Sequence, residues 1–377
     1  MTMASRCLWA GLTIAAAGAL VGCQYFTGLE DLTVTAPPSP ADGGAGSGGG
    51  GGGGGSLADE VVRLWGPLDN RTTRALALDA THLYFGGTES LWKAPLDPSL
   101  DPGVKPFRLL VGKHSVESLG VSGDHLYWTE WAGGIQRVGK NGSEMNVEKL
   151  YTNLSDAMGA LAVDAQHVYA IQGFWTIANP QPKQGQNLLC GPISGAWSAS
   201  EKIVATLPTF NASAVVLAGD FVYWHAEVGL MRAPRCSAPD ATPEQIAPHS
   251  DLSYPPLALA VDGEHAYWTY ARVDSPISRV ALSGGSPEVL VESQPYPRHL
   301  AVTADHVYWS TSQRDCVTAE ARILRAPKAG MAPPEEAQRG LTCPSNFATD
   351  SAGLYWADYG AIYKLPLVPR GAGAAPP

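Results

Sequence analysis

A short phrase of apolar and polar positions recurs seven times along the chain. Each copy begins with a small apolar run, passes through a turn and reaches a tyrosine followed by an aromatic residue or an alanine. The seven anchor tyrosines, which number units one to seven, are Tyr84, Tyr127, Tyr169, Tyr223, Tyr267, Tyr308 and Tyr355. Their separations run from 41 to 54 residues. Self-similarity at about this period is typical of repeat architectures.

Within each unit the pattern predicts four short strands. The apolar run, the tyrosine segment, a third segment such as Ile277–Val280 and a fourth such as Glu288–Glu292 are bounded by Gly, Pro, Asp or Ser. No stretch inside the repeats has a convincing 3.6-residue apolar period. The first strand has a small central residue in most units, such as Ala77 and Ala162, which suits crowding at an axis. We therefore predict an all-β fold, a seven-bladed β-propeller of four-stranded blades.

The two ends of the repeat region predict how the ring closes. The seventh unit supplies three strands, and the segment Glu60–Trp65 before the first unit has the pattern of a fourth. We expect this N-terminal strand to complete the last blade, because an unpaired edge strand invites aggregation. The propeller then covers residues 59–369, and the Gly-, Ala- and Pro-rich residues 370–377 form a disordered tail.

The first residues predict export. Residues 1–22 place Arg6 before an apolar run that is too short for a good membrane span, as in a signal peptide. The run ends in Leu20-Val21-Gly22-Cys23, which resembles the bacterial lipobox. This resemblance implies cleavage before Cys23 and lipidation of its thiol; the alternatives are an ordinary secreted protein cut nearby or an uncleaved anchor. Residues 23–58 follow as the lipidated cysteine and a flexible Gly- and Pro-rich tether.

The residue after the cysteine bears on the location of the protein in the cell, and the net charge bears on its partners. By resemblance to bacterial lipoproteins, Gln24 rather than Asp after Cys23 favours the outer membrane of the cell envelope. The formal net charge is −10, and no run of five basic residues occurs. This argues against nucleic acid and against an electrostatic attachment to anionic lipid. We expect a monomer that is attached to the membrane only through its lipid.

Four cysteines remain besides Cys7 and Cys23, and an exported protein can oxidise them. Cys316 and Cys343 fall in connections that open on the same face of a propeller, so a Cys316–Cys343 disulfide is predicted. Cys190 in a third strand and Cys236 in a turn are expected at different depths, and the sequence leaves open whether they pair. The spacings do not match a Cys-x₂-Cys zinc site, and no metal or cofactor is predicted.

Residues that recur at one position in most units are interpreted as structural. Five histidines stand two residues before an anchor tyrosine, and four aspartates stand five residues before one. We expect the histidines to form hydrogen bonds across the turn and the aspartates to cap it. The tyrosine and tryptophan rings are expected to pack within and between blades.

Function is expected where the units differ. The connections that follow the tyrosine strand and those that precede the first strand share one face, called here the loop face. They carry aromatic, arginine and acidic residues of a kind that suits sugar, peptide or protein partners. The candidate binding rim consists of Trp131, Trp175, Phe174, Tyr270, Tyr359, Arg272, Arg298, His299, Glu130 and Glu227. Unit three stands out because its connection from Gln172 to Asn187 is long. The alternative is that these residues only cover the channel mouth.

Catalytic motifs are not evident. The chain has no Gly-x-Ser-x-Gly elbow, no His-Glu-x-x-His, no phosphate-binding loop and no calcium loop. His225 with Glu227, or His299 with Arg298, are the candidates for acid–base chemistry.

The repeat phrase, as in Leu259–Leu290, resembles YWTD-type and NHL-like propeller proteins over roughly residues 60–367. The resemblance implies an extracellular binding platform, and the seven-bladed streptogramin lyases are an enzymatic relative in shape. Their metal-binding and acid–base residues find no matching positions here. We therefore expect a non-enzymatic binding or scaffold module for a protein, peptide or glycan, with a lyase or hydrolase as the alternative.

Overall fold

The computed structural model describes most of the repeat region. The described residues are 61–66, 73–97, 105–130, 134–152, 157–176, 183–197, 203–207, 214–226, 228–236, 242–248, 256–270, 272–311, 320–330 and 332–367. The predicted leader, tether and tail lie outside the described residues.

These residues form β-strands, together with one short 3-10 helix at Glu144–Asn146. The strands are β1 (Val62–Trp65), β2 (Thr73–Leu78), β3 (His82–Pro95), β4 (Phe107–Ser122), β5 (His125–Glu130), β6 (Gly134–Gly139), β7 (Glu148–Tyr151), β8 (Ala157–Val163), β9 (His167–Thr176), β10 (Lys183–Pro192), β11 (Ile203–Leu207), β12 (Val215–Ala218), β13 (Phe221–Ala226), β14 (Gly229–Pro234), β15 (Glu244–Pro248), β16 (Pro256–Val261), β17 (His265–Tyr270), β18 (Ser275–Ala281), β19 (Glu288–Gln294), β20 (Pro297–Val302), β21 (His306–Thr311), β22 (Ala321–Pro327), β23 (Glu335–Leu341), β24 (Ser345–Thr349), β25 (Gly353–Asp358) and β26 (Ala361–Pro366).

The strands pair antiparallel in sheets that follow the chain. Strands β8–β11, β12–β15, β16–β19 and β20–β23 each form a four-stranded sheet. Strands β2–β7 form one longer sheet, because β4 pairs with β3 through its first half and with β5 through its second half. Strand β3 turns back on itself, since the Leu96 amide donates to the Thr81 carbonyl at 3.0 Å and the Phe85 ring stacks on Trp92. It therefore contains both the second and the third strand of unit one.

The same backbone hydrogen bond closes the hairpin of every unit. An amide at or just beyond the end of the third strand donates to a carbonyl in the turn between the first and second strands. The seven donor–acceptor pairs in the described residues are Leu96–Thr81, Lys140–Asp124, Ile193–Gln166, Arg235–Asp220, Leu282–Glu264, Lys328–Asp305 and Leu367–Ala352. Each of the seven units read from the sequence therefore has this hydrogen bond.

The first strands of the units form a ring. Strand β2 packs against the second half of β4, and contacts then pass through β8, β12, β16, β20 and β24 back to β2. Space near the axis is narrow: a Cβ placed on Gly120 would lie 2.7 Å from Val163 Cγ1 of the next unit. This close approach explains why the first strands carry small central residues. The all-β propeller fold predicted from the repeats is confirmed.

The N-terminal strand completes the last sheet. Strand β1 pairs antiparallel with β26, so that Val62 lies opposite Lys364 and Arg63 opposite Tyr363, and the sheet order is β1-β26-β25-β24. The prediction that the segment before unit one closes the ring is therefore confirmed.

The core lies between neighbouring sheets. The anchor tyrosines and the tryptophans that follow them are almost entirely buried. One cluster joins Tyr127 and Ile135 of unit two to Leu161 and Val168 of unit three, and similar clusters join other neighbouring units. Since each sheet buries its faces against the next, the units depend on one another for stability.

Unit three differs from expectation. Its connection was predicted to be a long loop from Gln172 to Asn187, but β9 and β10 continue as a regular ladder that reaches the pair Thr176–Lys183. The added length is therefore largely an extended hairpin, in which backbone groups pair with each other.

Candidate functional site

The repeated aspartates cap the turn between the first and second strands. In unit five, one carboxylate oxygen of Asp262 accepts hydrogen bonds from the amides of Glu264 and His265, and the other accepts one from the Tyr267 hydroxyl at 3.1 Å. Asp79, Asp164 and Asp350 make the same contacts in their units. The capping prediction is confirmed, and it explains why an aspartate and a tyrosine recur five residues apart.

The repeated histidines contribute to the same turn mainly through their backbone. The carbonyls of His82, His167, His265 and His306 accept hydrogen bonds from the residue three positions earlier. Their rings lie 6.1–6.4 Å from the anchor tyrosine rings. The ring of His82 also pairs with the Thr81 hydroxyl at 2.8 Å.

A cation from the next unit approaches three of the four aspartates. Lys140 of unit two lies 2.6 Å from Asp79, and Lys328 of unit six lies 2.6 Å from Asp262. Arg235 of unit four lies 3.2 Å from Asp164. Burial opposes ionisation of Asp262, but Lys328 and the two turn amides outweigh it and lower the pKa to about 2. These pairs tie neighbouring units together on the face opposite the loop face, called here the turn face.

A second contact between units uses the residue opposite the anchor tyrosine on the third strand. Arg137, opposite Tyr127, donates to the Ile193 carbonyl of the next unit at 2.7 Å. Arg232 and Arg279 donate in the same way to the carbonyls of Leu282 and Lys328. These three arginines, and Arg325 opposite Tyr308 in unit six, also pair with a glutamate on the fourth strand of their own unit. The pairs are Arg137–Glu148, Arg232–Glu244, Arg279–Glu288 and Arg325–Glu335.

In unit three, Cys190 occupies the position opposite the anchor tyrosine and forms a disulfide with Cys236 of unit four. Both cysteines are buried, with exposures of 0% and 6%. The expectation that they lie at different depths was wrong, because Cys236 follows directly on the residue that closes the hairpin of unit four. Cys343 is also disulfide-bonded, but its predicted partner Cys316 lies outside the described residues.

The structure describes only part of the candidate binding rim. Trp131, Glu227 and the lipidation residue Cys23 lie outside the described residues. Phe174 and Trp175 belong to β9, where they pair with Gly185 and Gln184, but their side chains are not described.

The described rim residues differ in burial and in their printed contacts. Tyr270 is 1% exposed and packs with Trp268 and Leu259, so its ring belongs to the core and not to a surface; this corrects the prediction for that residue. Glu130 accepts a hydrogen bond from the Trp128 indole at 3.0 Å. Arg272 is half-buried at the start of the segment that leads into β18.

His299 and Arg298 lie on β20, the first strand of unit six. The His299 amide donates to the Ser310 hydroxyl, and its ring lies 6.1 Å from Phe347 of unit seven. Burial and the neighbouring Arg298 charge lower the pKa of His299 to about 4. The imidazole is therefore neutral at pH 7.

Exposed apolar residues occupy three connections of the loop face. Val228, Val273 and Tyr359 are 57%, 48% and 44% exposed, and each lies between the second and third strands of its unit. Tyr359 has a left-handed backbone with φ of 44°. Next to it the buried Asp358 accepts hydrogen bonds from the amides of Thr342 and Cys343. Val228 and Val273 were not predicted from the sequence; an apolar residue at a hairpin tip was the signal for them.

The described residues contain neither a candidate metal site nor a membrane-spanning helix. Within the described residues no group of three or more His, Cys, Asp or Glu side chains is placed to hold a metal ion. The described part of the chain contains no helix that is long and apolar enough to cross a membrane.

Comparison with known proteins identifies the fold alone. No family model and no curated protein matches the sequence. The chain is similar in structure to a catalytically inactive variant of virginiamycin B lyase from Staphylococcus aureus with quinupristin, at a TM-score of 0.56 and 15% identity over 82% of this chain and 99% of that one. It is also similar to the computationally designed Ika8 protein, at a TM-score of 0.50 and 10% identity over 79% of this chain and 96% of that one. At these identities the likeness shows a β-propeller and no more.

Proposed function

We propose that the protein is a lipid-anchored, seven-bladed propeller of YWTD- or NHL-like type in the bacterial cell envelope, which binds a protein, peptide or glycan partner without catalysis. The lipobox-like segment ending at Cys23 and the long tether support the anchor. The outer membrane is favoured by Gln24. In this proposal the tether lets the propeller present its loop face to a partner near the membrane.

The observation that carries the binding proposal is the contrast between the two faces. On the turn face the repeated aspartates, lysines and arginines contact neighbouring units, and these contacts hold the ring together. On the loop face the described connections of units four, five and seven expose Val228, Val273 and Tyr359 instead. Aromatic and apolar side chains on a rigid scaffold provide the contacts that dominate binding free energy in protein interfaces.

The binding proposal is tested with Tyr359→Ala. Full-length protein is screened against arrays of peptides, envelope glycans and peptidoglycan fragments, and the dissociation constant of the best ligand is measured. We expect Tyr359→Ala to weaken binding by about tenfold, because truncation of an anchoring aromatic costs roughly 1–2 kcal/mol.

Phe107→Ala serves as the control, since Phe107 is 61% exposed but lies on β4, away from the loop face. An equal loss of affinity in both variants, or no loss of affinity in either, would contradict a site at Tyr359. Turnover of any arrayed glycan or peptide would favour the lyase or hydrolase alternative instead.

The anchor is tested separately with Cys23→Ser. Cells supplied with a fatty-acid analogue should label the unaltered protein, and the label should be absent from the variant. The variant should also leave the membrane fraction, because a single apolar leader without lipid is a weak attachment. Labelling of Cys23→Ser would disprove lipidation at this residue.

A further inference from the structure

Unit one departs from the arginine–glutamate pattern of the turn face. In the other units, the residue three positions before the hairpin-closing amide lies opposite the anchor tyrosine. The closing amide of unit one is that of Leu96, so Lys93 is the residue opposite Tyr84. On the fourth strand its partner is Phe107, where units two, four, five and six have a glutamate. Lys93 therefore lacks the carboxylate that pairs with the corresponding arginines.

The ammonium group of Lys93 instead contacts neutral atoms of unit two. It donates to the Asn141 side-chain oxygen at 2.7 Å and to the Lys140 carbonyl at 3.4 Å. An ammonium group has three N–H donors, so two partners leave one donor available. The positive charge of Lys93 is thus hydrogen-bonded but not neutralised by these contacts.

A cleft of about 620 Å³ opens beside this lysine, between the turns of units one and two. Lys93, Lys140, His82, His125, Asn141 and Asp124 contribute to its walls. Asp124, His82 and His125 lie at the turns between first and second strands. Lys93 lies near the end of the third strand of unit one, and Lys140 and Asn141 lie in the turn after β6. All of these positions are on the turn face, so the cleft belongs to that face. It is separate from the candidate binding rim.

The charges around the cleft favour an anion. Asp79 also lines it, but both of its oxygens are engaged by Lys140, the turn amides and the Tyr84 hydroxyl. Burial and the charges of Lys93 and Lys140 lower the pKa of His82, although Asp79 opposes this. The Thr81 hydroxyl donates to Asp79, so His82 Nδ1 donates to the Thr81 oxygen, and Nε2 becomes a donor for an anion when the ring takes up a second proton. Asp124 is exposed at the edge and, among the described residues of the cleft wall, is the carboxylate that opposes an anion.

We propose that the cleft between units one and two binds the oxyanion group, phosphate or carboxylate, of a small molecule, with Lys93 as its principal cation. The group would take the third donor of Lys93 and the imidazoles of His82 and His125, while the cleft volume leaves room for the rest of a sugar-sized molecule. The small size of the cleft and the single unneutralised lysine do not suit a polyanion such as nucleic acid.

The test measures anion binding to the full chain in detergent at constant ionic strength. The probes are inorganic phosphate, acetate and glucose 6-phosphate, with glucose as the neutral comparison, and binding is followed by calorimetry and by the NMR signals of His82. Binding should shift the His82 signal and raise its pKa, because a bound anion stabilises the imidazolium form. Phosphate and acetate then distinguish the two oxyanions. Equal binding of glucose and glucose 6-phosphate would overturn the proposal.

Two lysine variants separate the site from general charge effects. Lys93→Met should raise the dissociation constant by at least about tenfold, since it removes a charge-assisted hydrogen bond. Lys364→Met is the matched control: Lys364 lies opposite the anchor tyrosine of unit seven, also lacks a fourth-strand glutamate, and places its ammonium 5.2 Å from the centre of the Tyr355 ring. Equal weakening by both variants would overturn the proposal, as would no binding to the unaltered protein.

A third variant changes binding in the opposite direction and so cannot be explained by misfolding. Asp124→Asn removes the exposed carboxylate at the edge of the cleft, and we expect tighter phosphate binding by about two- to fivefold at low salt. Weaker binding in this variant would contradict the proposed arrangement of charges.

Discussion

At the scale of single residues, the aspartate of the turn does two tasks at once. In Asp262 one oxygen holds the backbone of its own turn, and the other binds Tyr267 and the lysine of the next unit. Its ionised form is therefore stabilised by contacts that exist only in the folded ring. A substitution of Asp262 therefore weakens both the local turn and the junction between units.

This arrangement predicts a dependence of stability on pH. The folded-state pKa of Asp262, about 2, is lower than its ordinary value of 3.8, so its contribution is present above about pH 4 and is lost as the pH falls towards 2. Because the carboxylate is partly accessible, the contribution is on the order of 1 kcal/mol. Asp262→Asn should lower the denaturant midpoint at pH 7 and reduce its decrease between pH 5 and pH 2.

The comparison is Glu264→Gln, which removes an exposed carboxylate two residues away whose side chain is 86% accessible. Denaturation curves at each pH give the midpoints. If both variants lose the same share of the pH dependence, the Lys328–Asp262 pair is not its source.

At the scale of elements, the units use one position on the third strand for different kinds of contact. Arginine donates to a backbone carbonyl of the next unit in units two, four and five, whereas unit three uses the disulfide from Cys190 to Cys236. The covalent bond therefore replaces a hydrogen bond at an equivalent junction.

We expect Cys190→Ser combined with Cys236→Ser to reduce the free energy of unfolding by about 2–4 kcal/mol, since the bond closes a loop of 46 residues. The reason is that the unfolded chain regains conformational freedom and two hydroxyls replace a buried apolar contact. Unfolding in urea, with and without reductant, measures the difference. An unchanged midpoint in the double variant would show that the junction does not need the bond.

The sequence predicts features that repeat but not those that depend on register between units. The aspartate–tyrosine turn could be predicted because both residues lie in one hairpin and recur five positions apart. The Cys190–Cys236 bond could not, because it requires knowing that the third strand of unit three faces the end of the hairpin in unit four. The burial of Tyr270 was missed for a similar reason: its ring belongs to a cluster that also contains Leu230 and Ile246 of unit four.

At the scale of the whole molecule, the contacts between consecutive units alternate between two kinds along the chain. Units one, three, five and seven have the turn aspartate, while units two, four and six have Ser122, Ala218 and Thr303. The hairpin-closing residue of the next unit is a cation after units one, three and five, where it is Lys140, Arg235 and Lys328. After units two, four and six it is apolar, and there it is Ile193, Leu282 and Leu367. Unit seven adjoins unit one, and although unit seven has the turn aspartate Asp350, the hairpin-closing residue of unit one is the apolar Leu96.

Adding a cation at the junction of units seven and one should therefore increase the stability of the fold. Burial, Asp350 and the nearby Asp97 raise the pKa of the Tyr355 hydroxyl, which indicates negative potential there. We expect Asp97→Lys to increase stability by about 0.5–1 kcal/mol, which corresponds to about 1–2 °C in melting temperature.

Glu264→Lys makes the same change of charge at an exposed position in unit five and serves as the comparison. Thermal unfolding at low and high salt measures both variants. An equal rise in both would attribute the effect to net charge instead of to the junction.

The strand that completes this junction is also the first part of the described structure to follow the proposed tether. Only four residues, Val62–Trp65, form β1, and the Trp65 indole donates to the Pro95 carbonyl of unit one at 3.2 Å. If the chain is anchored as proposed, a pulling force on the anchor would act first on β1, and peeling it away would expose the edge of β26. Strain between a membrane and a captured partner would open the propeller at one defined place, before any other blade is disturbed.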